Sequence, residues 1–216
     1  MENSHSSLTT TSYALLGLLN IRPWTTYELA KQVQRSLGWF WPRAERKLYE
    51  EPKRLAEHGM ATATAESTGK RPRTVYAITP AGRQALKRWL DEAPAAPSLE
   101  FEALVKVFFA DGGTLAQLRT TIDHVERDAT ARRDVLRGMI EGRSAESDYE
   151  FAARWPINAL SMRFQLDHNE LQIRWAQWAR EQIASWRSPK DAAGWDWAAA
   201  DRPASCSTRR ATGSTR

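Results

Sequence analysis

Cysteine and long apolar runs are almost missing from this chain of 216 residues. Its one cysteine, Cys206, lies in a polar tail, which excludes a disulfide framework and a cysteine-based metal cluster. The apolar run from Tyr13 to Ile21 is far shorter than the roughly 18 residues that a membrane span requires. The first residues also lack the basic region of a secretory leader. These absences predict a soluble cytoplasmic protein without redox chemistry.

Sequence signatures of enzymes are missing as well. The chain shows no glycine-rich phosphate loop, no HExxH motif and no Ser, His and Asp set. A D-H-x-E pattern occurs at residues 123–126 and 167–170, and it could offer metal ligands if the two helices met. A solvated helix face explains these residues more simply. The sequence therefore predicts no enzyme, no cofactor and no metal site, with a metal-dependent enzyme as an alternative.

Positive charge is concentrated in the first part of the chain. Residues 1–94 carry 14 Lys or Arg against 9 Asp or Glu, whereas residues 95–187 carry 12 against 14. Such an excess favours a polyanionic partner for the first part. The hydrophobic share of 42% is enough for globular cores, and the length suits two domains.

The first 93 residues show the order helix, helix, helix, hairpin, helix. Residues 10–21 form a dense apolar helix, a second helix begins at the capping box of Thr25 and Glu28, and a third covers residues 42–58. The segments MATATAE and TVYAIT alternate with period two around the basic turn STGKRPR, which predicts a hairpin. A fourth helix follows. This is the element order of a winged helix-turn-helix, whose third helix enters the DNA major groove.

A helical wheel divides the third helix into an apolar stripe and a charged face. An arginine in the first turn can bond guanine with two hydrogen bonds, and Glu50 can accept one from cytosine, while later residues suit phosphates. The alternatives are ion pairs such as Arg46 with Glu50 on a merely solvated helix, or a winged scaffold that binds protein as an adaptor. The stripe consists of Ala44, Leu48, Pro52 and Leu55. The predicted DNA contacts are Arg43, Arg46, Lys47, Tyr49, Glu50, Lys53 and Arg54 of the helix, with Lys70, Arg71 and Arg73 of the hairpin.

From residue 98 onward the sequence predicts helices only. A helix capped by Ser98 ends at two glycines, a second starts at the capping box of Thr114 and Gln117, and a third spans residues 157–186. Their apolar stripes exceed the surfaces that one small helical domain offers, which predicts that a second subunit buries one stripe in a homodimer. Burial inside the same subunit is the alternative. The predicted dimer contacts are Leu118, Ile122, Val125, Leu160, Phe164, Leu171 and Trp178.

Tryptophans suggest a ligand pocket, because flat aromatic walls suit a small aromatic effector. Packing in a core or a dimer interface is the alternative for the same side chains. The residues concerned are Trp89, Trp155, Trp175 and Trp178.

The predicted architecture is mainly α. A winged helix-turn-helix DNA-binding domain with a two-stranded β-hairpin wing covers residues 10–93, and an α-helical dimerisation and effector domain covers residues 98–187. Residues 188–216, rich in Pro, Asp, Ala, Ser, Thr and Arg, form a disordered tail.

Three stretches of the first domain carry a family resemblance. YALLGLLNIRPWTTYELAKQV, FWPRAERKLYEEPKRLAEHGMATA and GKRPRTVYAITPAGRQAL resemble the PadR family of transcriptional regulators across residues 12–90. The resemblance implies a winged-helix domain that binds two-fold symmetric operators as a dimer, usually as a repressor, with phenolic acids as effectors in founding members. By it, the DNA contacts include Tyr27, Arg46, Lys47, Tyr49 and the wing residues.

The third helix departs from the family pattern at its start and at its centre. Arg43, Arg46 and Lys47 stand where the family typically has small polar residues and a glutamine, and Pro52 replaces a usual leucine. An operator sequence therefore does not carry over from the family.

Overall fold

The computed structural model describes residues 8–42, 45–68, 71–142 and 153–190. The chain divides into two compact units between Pro97 and Ser98. Two predicted DNA contacts, Arg43 and Lys70, lie outside the described residues, as do Ala44 of the predicted apolar stripe and residues 191–216 of the predicted tail. None of the described helices is long and apolar enough to cross a membrane.

The first unit is a helical domain with a small antiparallel sheet. Threonine side chains cap three of its helices, at Thr9, Thr25 and Thr79, and the sheet has the order β1-β3-β2. The predicted winged helix-turn-helix is confirmed, with β2 and β3 as the wing. The elements are α1 (Thr10–Leu19), β1 (Trp24–Thr25), α2 (Thr26–Ser36), α3 (Glu45–Glu57), β2 (Ala61–Thr68), β3 (Arg71–Ile78) and α4 (Pro80–Asp91).

The wing strands are longer than the sequence predicted. Thr68 pairs with Arg71 and Glu66 with Arg73, so most of the segment STGKRPR is strand rather than turn. Glycine, proline and three cations make this segment resemble a turn in the sequence, whereas its pairing across the hairpin is not visible there. The two-residue strand β1 pairs with β3, and it is too short to be predicted from periodicity.

The inner side of α3 lies in the core of the first unit. Leu48 and Leu55 have no exposed surface, and Pro52 is less than 2% exposed, as the helical wheel predicts. Pro52 lacks the N–H that would bond to the carbonyl of Leu48, which costs a helix interior about 3 kcal/mol. Burial of the proline ring beside the two leucines offsets part of that cost.

A compact junction joins the end of α3 to the wing and to α4. Gly59 has φ +70°, a value that favours glycine, and the N–H of Met60 bonds to the carbonyl of Leu55 at 2.8 Å. Thr79 donates from its hydroxyl to the Gly59 carbonyl at 2.7 Å and from its N–H to the Met60 carbonyl at 3.1 Å. A Cβ atom on Gly82 would lie only 2.2 Å from the same Met60 oxygen. The sequence therefore needs glycine at two positions of the junction, which we call the α3–wing junction.

The second unit is helical in its described part. The helix α5 starts after Phe101, which provides no side-chain cap, so the predicted start at Ser98 is wrong. Phe101 and Val107 instead pack against the core of this unit, and that burial sets the helix start. The capping box of Thr114 and Gln117 forms as predicted. The elements are α5 (Glu102–Phe108), a 3-10 turn (Ala110–Gly112), α6 (Leu115–Glu141) and α7 (Trp155–Gln182).

Substitution of Gly82 by alanine tests the close approach at the α3–wing junction. We expect Gly82→Ala to lower the free energy of unfolding by about 1 to 3 kcal/mol, because the backbone of Met60 must shift to admit the methyl group. Gly17→Ala is the matched control, since a Cβ there meets no atom within 4 Å, and it should raise stability by up to about 1 kcal/mol. Urea unfolding followed by circular dichroism measures both. Equal losses in the two variants would contradict the assigned contact.

Candidate nucleic-acid interface

The outer face of α3 presents basic side chains in its first turns. Arg46 is 87% exposed, and its Nε lies 2.8 Å from Oε1 of Glu50. This hydrogen bond raises the pKa of Arg46. Lys47 is exposed beside it, and Tyr49 is 40% exposed. The base-reading residues predicted for the described part of the helix are therefore accessible to a partner.

The helix α2 adds a second accessible face. Tyr27 is 62% exposed, and Lys31 and Arg35 are exposed as well. Because the three residues are spaced by four, they follow one face of the helix. In a helix-turn-helix the helix before the recognition helix crosses the DNA backbone. Lys31 and Arg35 are not among the contacts predicted from the sequence, although their spacing from Tyr27 places them on the same face.

The wing is less positive than its sequence indicates. Arg73 donates from Nη2 to Oε2 of Glu66 at 2.9 Å, and the two side chains are about half exposed. The sequence segment from residue 67 to residue 78 contains no acid, but the strand register places Glu66 directly opposite Arg73. Arg71 begins β3 nearest to the turn. Part of the wing charge is therefore neutralised within the hairpin itself.

Two later residues of α3 differ in their surroundings. Lys53 is 78% exposed, with its Nζ 3.7 Å from Glu57, and it lies on the predicted face. Arg54 does not, because its side chain is only 34% exposed and its Nε lies 3.6 Å from Oε1 of the buried Glu51. The wheel places Arg54 on the half opposite the apolar stripe, but its long side chain reaches back to Glu51, three residues earlier on the same helix. The predicted outward orientation of Arg54 is therefore wrong.

The predicted dimer contacts separate into two groups. Leu118, Ile122 and Val125 are at most 6% exposed, in a core cluster that α6 forms with Ala176 and Ala179 of α7 and with Ile183 just after it. They are buried within their own subunit, so the prediction that they face a partner is wrong for these three. Trp178 packs against the same cluster. The remaining predicted contacts stay exposed on α7, with exposed fractions of 75% for Leu160, 66% for Phe164 and 55% for Leu171.

The tryptophans of the second unit do not all lie at one site. Trp89 belongs to the first unit and stacks on Tyr13 with ring centroids 4.8 Å apart. Trp155 and Trp175 are both on α7, and their separation of 20 residues corresponds to roughly 30 Å along a helix. Trp175 and Trp178 each pack against the core of the second unit. Among the tryptophans predicted in that unit, these two can contribute to a common site.

The two D-H-x-E segments lie at different levels of the α6–α7 helix pair. Arg180 of α7 donates to Asp123 at 2.7 Å, whereas Arg137 of α6 donates to Glu170 at 2.9 Å. The helices therefore run antiparallel, and the two segments are separated by roughly 20 Å along them. The metal site that the repeated pattern suggested cannot form from both segments within the described pair.

Ion pairs explain the acidic residues of these segments. Glu126 accepts hydrogen bonds from Gln177 at 2.9 Å and from Arg180. These hydrogen bonds hold the pKa of Glu126 below its ordinary value, so the carboxylate remains charged and tied to α7. The carboxylates of the first segment thus connect the two long helices.

An exposed basic helix with a hairpin wing, on a helix-turn-helix scaffold, defines the class of winged-helix proteins. The first unit belongs to the PadR-like family of transcriptional regulators. Residues 15–88 match the Transcriptional regulator PadR-like family, and residues 101–184 match the Virulence activator alpha C-term family. It is a DNA-binding transcriptional regulator and not an enzyme.

Two relatives are similar in sequence. A probable transcriptional regulator of Mycobacterium tuberculosis is 29% identical over 138 residues, which cover 59% of this chain and 73% of that protein. The negative transcriptional regulator PadR of Bacillus subtilis is 30% identical over 99 residues, 45% of this chain and 54% of that protein. The match thus spans about half of the Bacillus protein.

Solved structures show the same fold over most of the chain. Bacillus subtilis PadR in complex with operator DNA has a TM-score of 0.70 at 22% identity and covers 81% of this chain and 99% of its own. The same protein in complex with p-coumaric acid has a TM-score of 0.63 at 21% identity, with 82% and 100% covered. The virulence activator AphA of Vibrio cholerae has a TM-score of 0.64 at 22% identity, with 82% and 99% covered.

Proposed function

We propose that the protein is a homodimeric repressor that binds a two-fold symmetric operator through α3 and the wing. The observation that carries this proposal is the exposure of Arg46 and Lys47 at the start of a helix whose other side is buried. In winged-helix proteins such a helix lies in the major groove, with half-sites of a dimer about one helical turn or a multiple apart. The Bacillus relative in complex with operator DNA supports this arrangement.

The proposed contacts have different tasks. Side chains at the start of α3 read base edges in the major groove, whereas residues of α2, later α3 and the wing hold phosphates. The base-reading set is Arg43, Arg46, Lys47 and Glu50. The phosphate set is Tyr27, Lys31, Arg35, Tyr49, Lys53, Lys70, Arg71 and Arg73.

Substitution of one residue from each set separates their roles. We expect Arg46→Ala to weaken binding to the cognate operator by about 1 to 3 kcal/mol and to relax base preference, while Arg71→Ala weakens cognate and random DNA to a similar extent. The operator is first defined by footprinting the DNA upstream of the protein's own gene. Fluorescence anisotropy on cognate and random duplexes then gives both affinities. Equal effects of the two variants on both duplexes would remove this division of roles.

The salt dependence of binding distinguishes this proposal from a winged-helix adaptor that binds protein. Each phosphate contact should contribute about 0.9 to the slope of log affinity against log salt. Arg71→Ala should therefore lower the slope by about 1. A wild-type protein whose binding to its upstream DNA has no salt slope would favour the adaptor.

The exposed stripe on α7 is the proposed dimer surface. Leu160, Phe164 and Leu171 are spaced by four and seven residues, which places them along one seam of a helix. Each is more than half exposed in the single chain, and large apolar side chains in such a row mark a protein contact. A second copy of α7 can cover the stripe with the same residues about a two-fold axis.

A charge in the middle of this seam should separate the subunits. We expect Phe164→Glu to convert the dimer into a monomer at micromolar concentration, because the carboxylate would be buried without a partner. Leu90→Glu is the matched control, since Leu90 is 68% exposed on α4 and outside the proposed seam. Sedimentation velocity measures the mass of each variant. A Phe164→Glu protein that stays dimeric while folded would show that the seam is elsewhere.

A small aromatic effector that releases the operator completes the proposal. Its support is the Bacillus relative in complex with p-coumaric acid, together with Trp175 and Trp178, which each pack against the core of the second unit. A ligand bound there would favour one arrangement of the two α3 helices over another and so change DNA affinity.

Titration with p-coumaric acid tests the effector. We expect the ligand to quench tryptophan fluorescence and to weaken operator binding, and Trp175→Leu to reduce both effects. Benzoate at equal concentration controls for acidity and ionic strength. Operator affinity that p-coumaric acid leaves unchanged would exclude this ligand as the effector.

A further inference from the structure

A chain of buried polar groups connects the start of α1 to the middle of α3. Glu51 is 8% exposed and Ser12 has no exposed surface. The Ser12 hydroxyl donates to Oε1 of Glu51 at 2.5 Å, and the N–H of Thr9 donates to the same hydroxyl at 2.8 Å. The residue that closes the capping box of α1 thus also holds a carboxylate of the recognition helix.

Arg54 is the charged partner of this carboxylate. Its Nε lies 3.6 Å from Oε1 of Glu51. Within the part of the chain that the structure describes, the buried Nε and Nη2 atoms have no hydrogen-bond partner. Two buried donors beside a buried anion are held there by charge, because an isolated guanidinium or carboxylate would be costly in the interior. We call Ser12, Glu51 and Arg54 the α1–α3 polar cluster.

The α1–α3 polar cluster is not the arrangement that would stabilise the fold most. Apolar residues of similar volume at such positions are often neutral or more stabilising than a buried ion pair. The apolar contacts of Leu48, Pro52 and Leu55 tolerate small rotations of the helix, since dispersion and hydrophobic terms are non-directional. A hydrogen bond between Ser12 and Glu51 is directional. It is satisfied in one rotation and one axial position of α3.

The cluster also lies beside the weak point of the helix. Glu51 immediately precedes Pro52, where the backbone hydrogen bond to Leu48 is missing. A helix can bend at such a position, and a bend there would swing the first turns of α3, which carry Arg46. The anchor to α1 is thus at the point where α3 has the greatest freedom to bend.

We infer that Glu51 is a positioning residue for DNA reading, which acts with Ser12 and Arg54 to fix the orientation of α3 against α1. Arg46 and Glu50 lie at most about a turn and a half of helix from Glu51. The cluster therefore keeps their side chains directed into the DNA major groove. The inference rests on the proposed function, because it takes α3 as the helix that reads DNA. It assigns Arg54 to the support of α3 instead of to a phosphate.

Conservative variants of the full-length protein test the inference. Ser12→Ala removes the donor, Glu51→Gln removes the charge with little change of shape, and Glu57→Gln removes a charge from the exposed side of the same helix as a control. For each, urea unfolding gives stability, and anisotropy at a temperature where the variant is folded gives affinities for the footprinted operator and for random DNA. The ratio of these affinities is the decisive readout, since a loss of folded protein lowers both equally.

We expect the ratio to fall about fivefold in Ser12→Ala and in Glu51→Gln, as one hydrogen bond's contribution allows, with the salt slope unchanged. The double variant should lose no more than about the larger single effect, because both changes act on one contact: Ser12→Ala removes its donor and Glu51→Gln the charge of its acceptor. Glu57→Gln should keep the wild-type ratio.

Two outcomes would overturn the inference in different ways. Variants that lose stability but keep the wild-type ratio would show that the cluster supports only the fold, and DNA reading by α3 would stand. A wild-type protein that does not distinguish its operator from random DNA would overturn the proposed function together with the inference. Arg54→Ala adds a direct check, since a phosphate contact would lower the salt slope and a positioning residue would leave it unchanged.

Discussion

The burial of one side of α3 is the constraint on which the rest of the first unit depends. Full burial of a leucine contributes about 1.5 to 3 kcal/mol, and Leu48 and Leu55 are both fully buried. Because these contacts hold the helix from behind, its outer side can carry cations that add little to stability. Surface ion pairs such as Arg46 with Glu50 contribute little to stability, because both groups remain in water. The stabilising contacts and the proposed DNA-reading residues are therefore located on opposite sides of one helix.

Local features of the fold could be predicted from sequence, because their interactions are between near neighbours. The capping boxes at Thr25 and Thr114 join residues three apart, and both form as predicted. The inner stripe of α3 follows from helical periodicity alone. The winged helix-turn-helix could be predicted for the same reason, since each of its helices and strands is marked by a local pattern and their order defines the fold.

Features set by pairing between distant segments could not be predicted in this way. Glu66 neutralises Arg73 only because the strand register places them opposite each other, and sequence distance alone hides that contact. Arg54 turns inward because Glu51 lies buried beside it. Sequence reasoning places a glutamate on the surface because it is polar, so it does not predict this buried carboxylate. In the second unit, the periodicity of α6 shows that Leu118, Ile122 and Val125 share a stripe. It does not show whether the stripe faces α7 or another subunit.

The α3–wing junction fixes the distance between α3 and the wing. Gly59 and Met60 are bonded both to the end of α3 and to Thr79, where β3 passes into α4. The recognition helix and the wing therefore cannot move apart without breaking hydrogen bonds on both sides of one backbone turn. On DNA, a helix in one groove and a hairpin on the neighbouring groove would then be held at a fixed separation. Such a protein would respond to the width of the grooves, and hence to the stiffness of base steps that neither element touches.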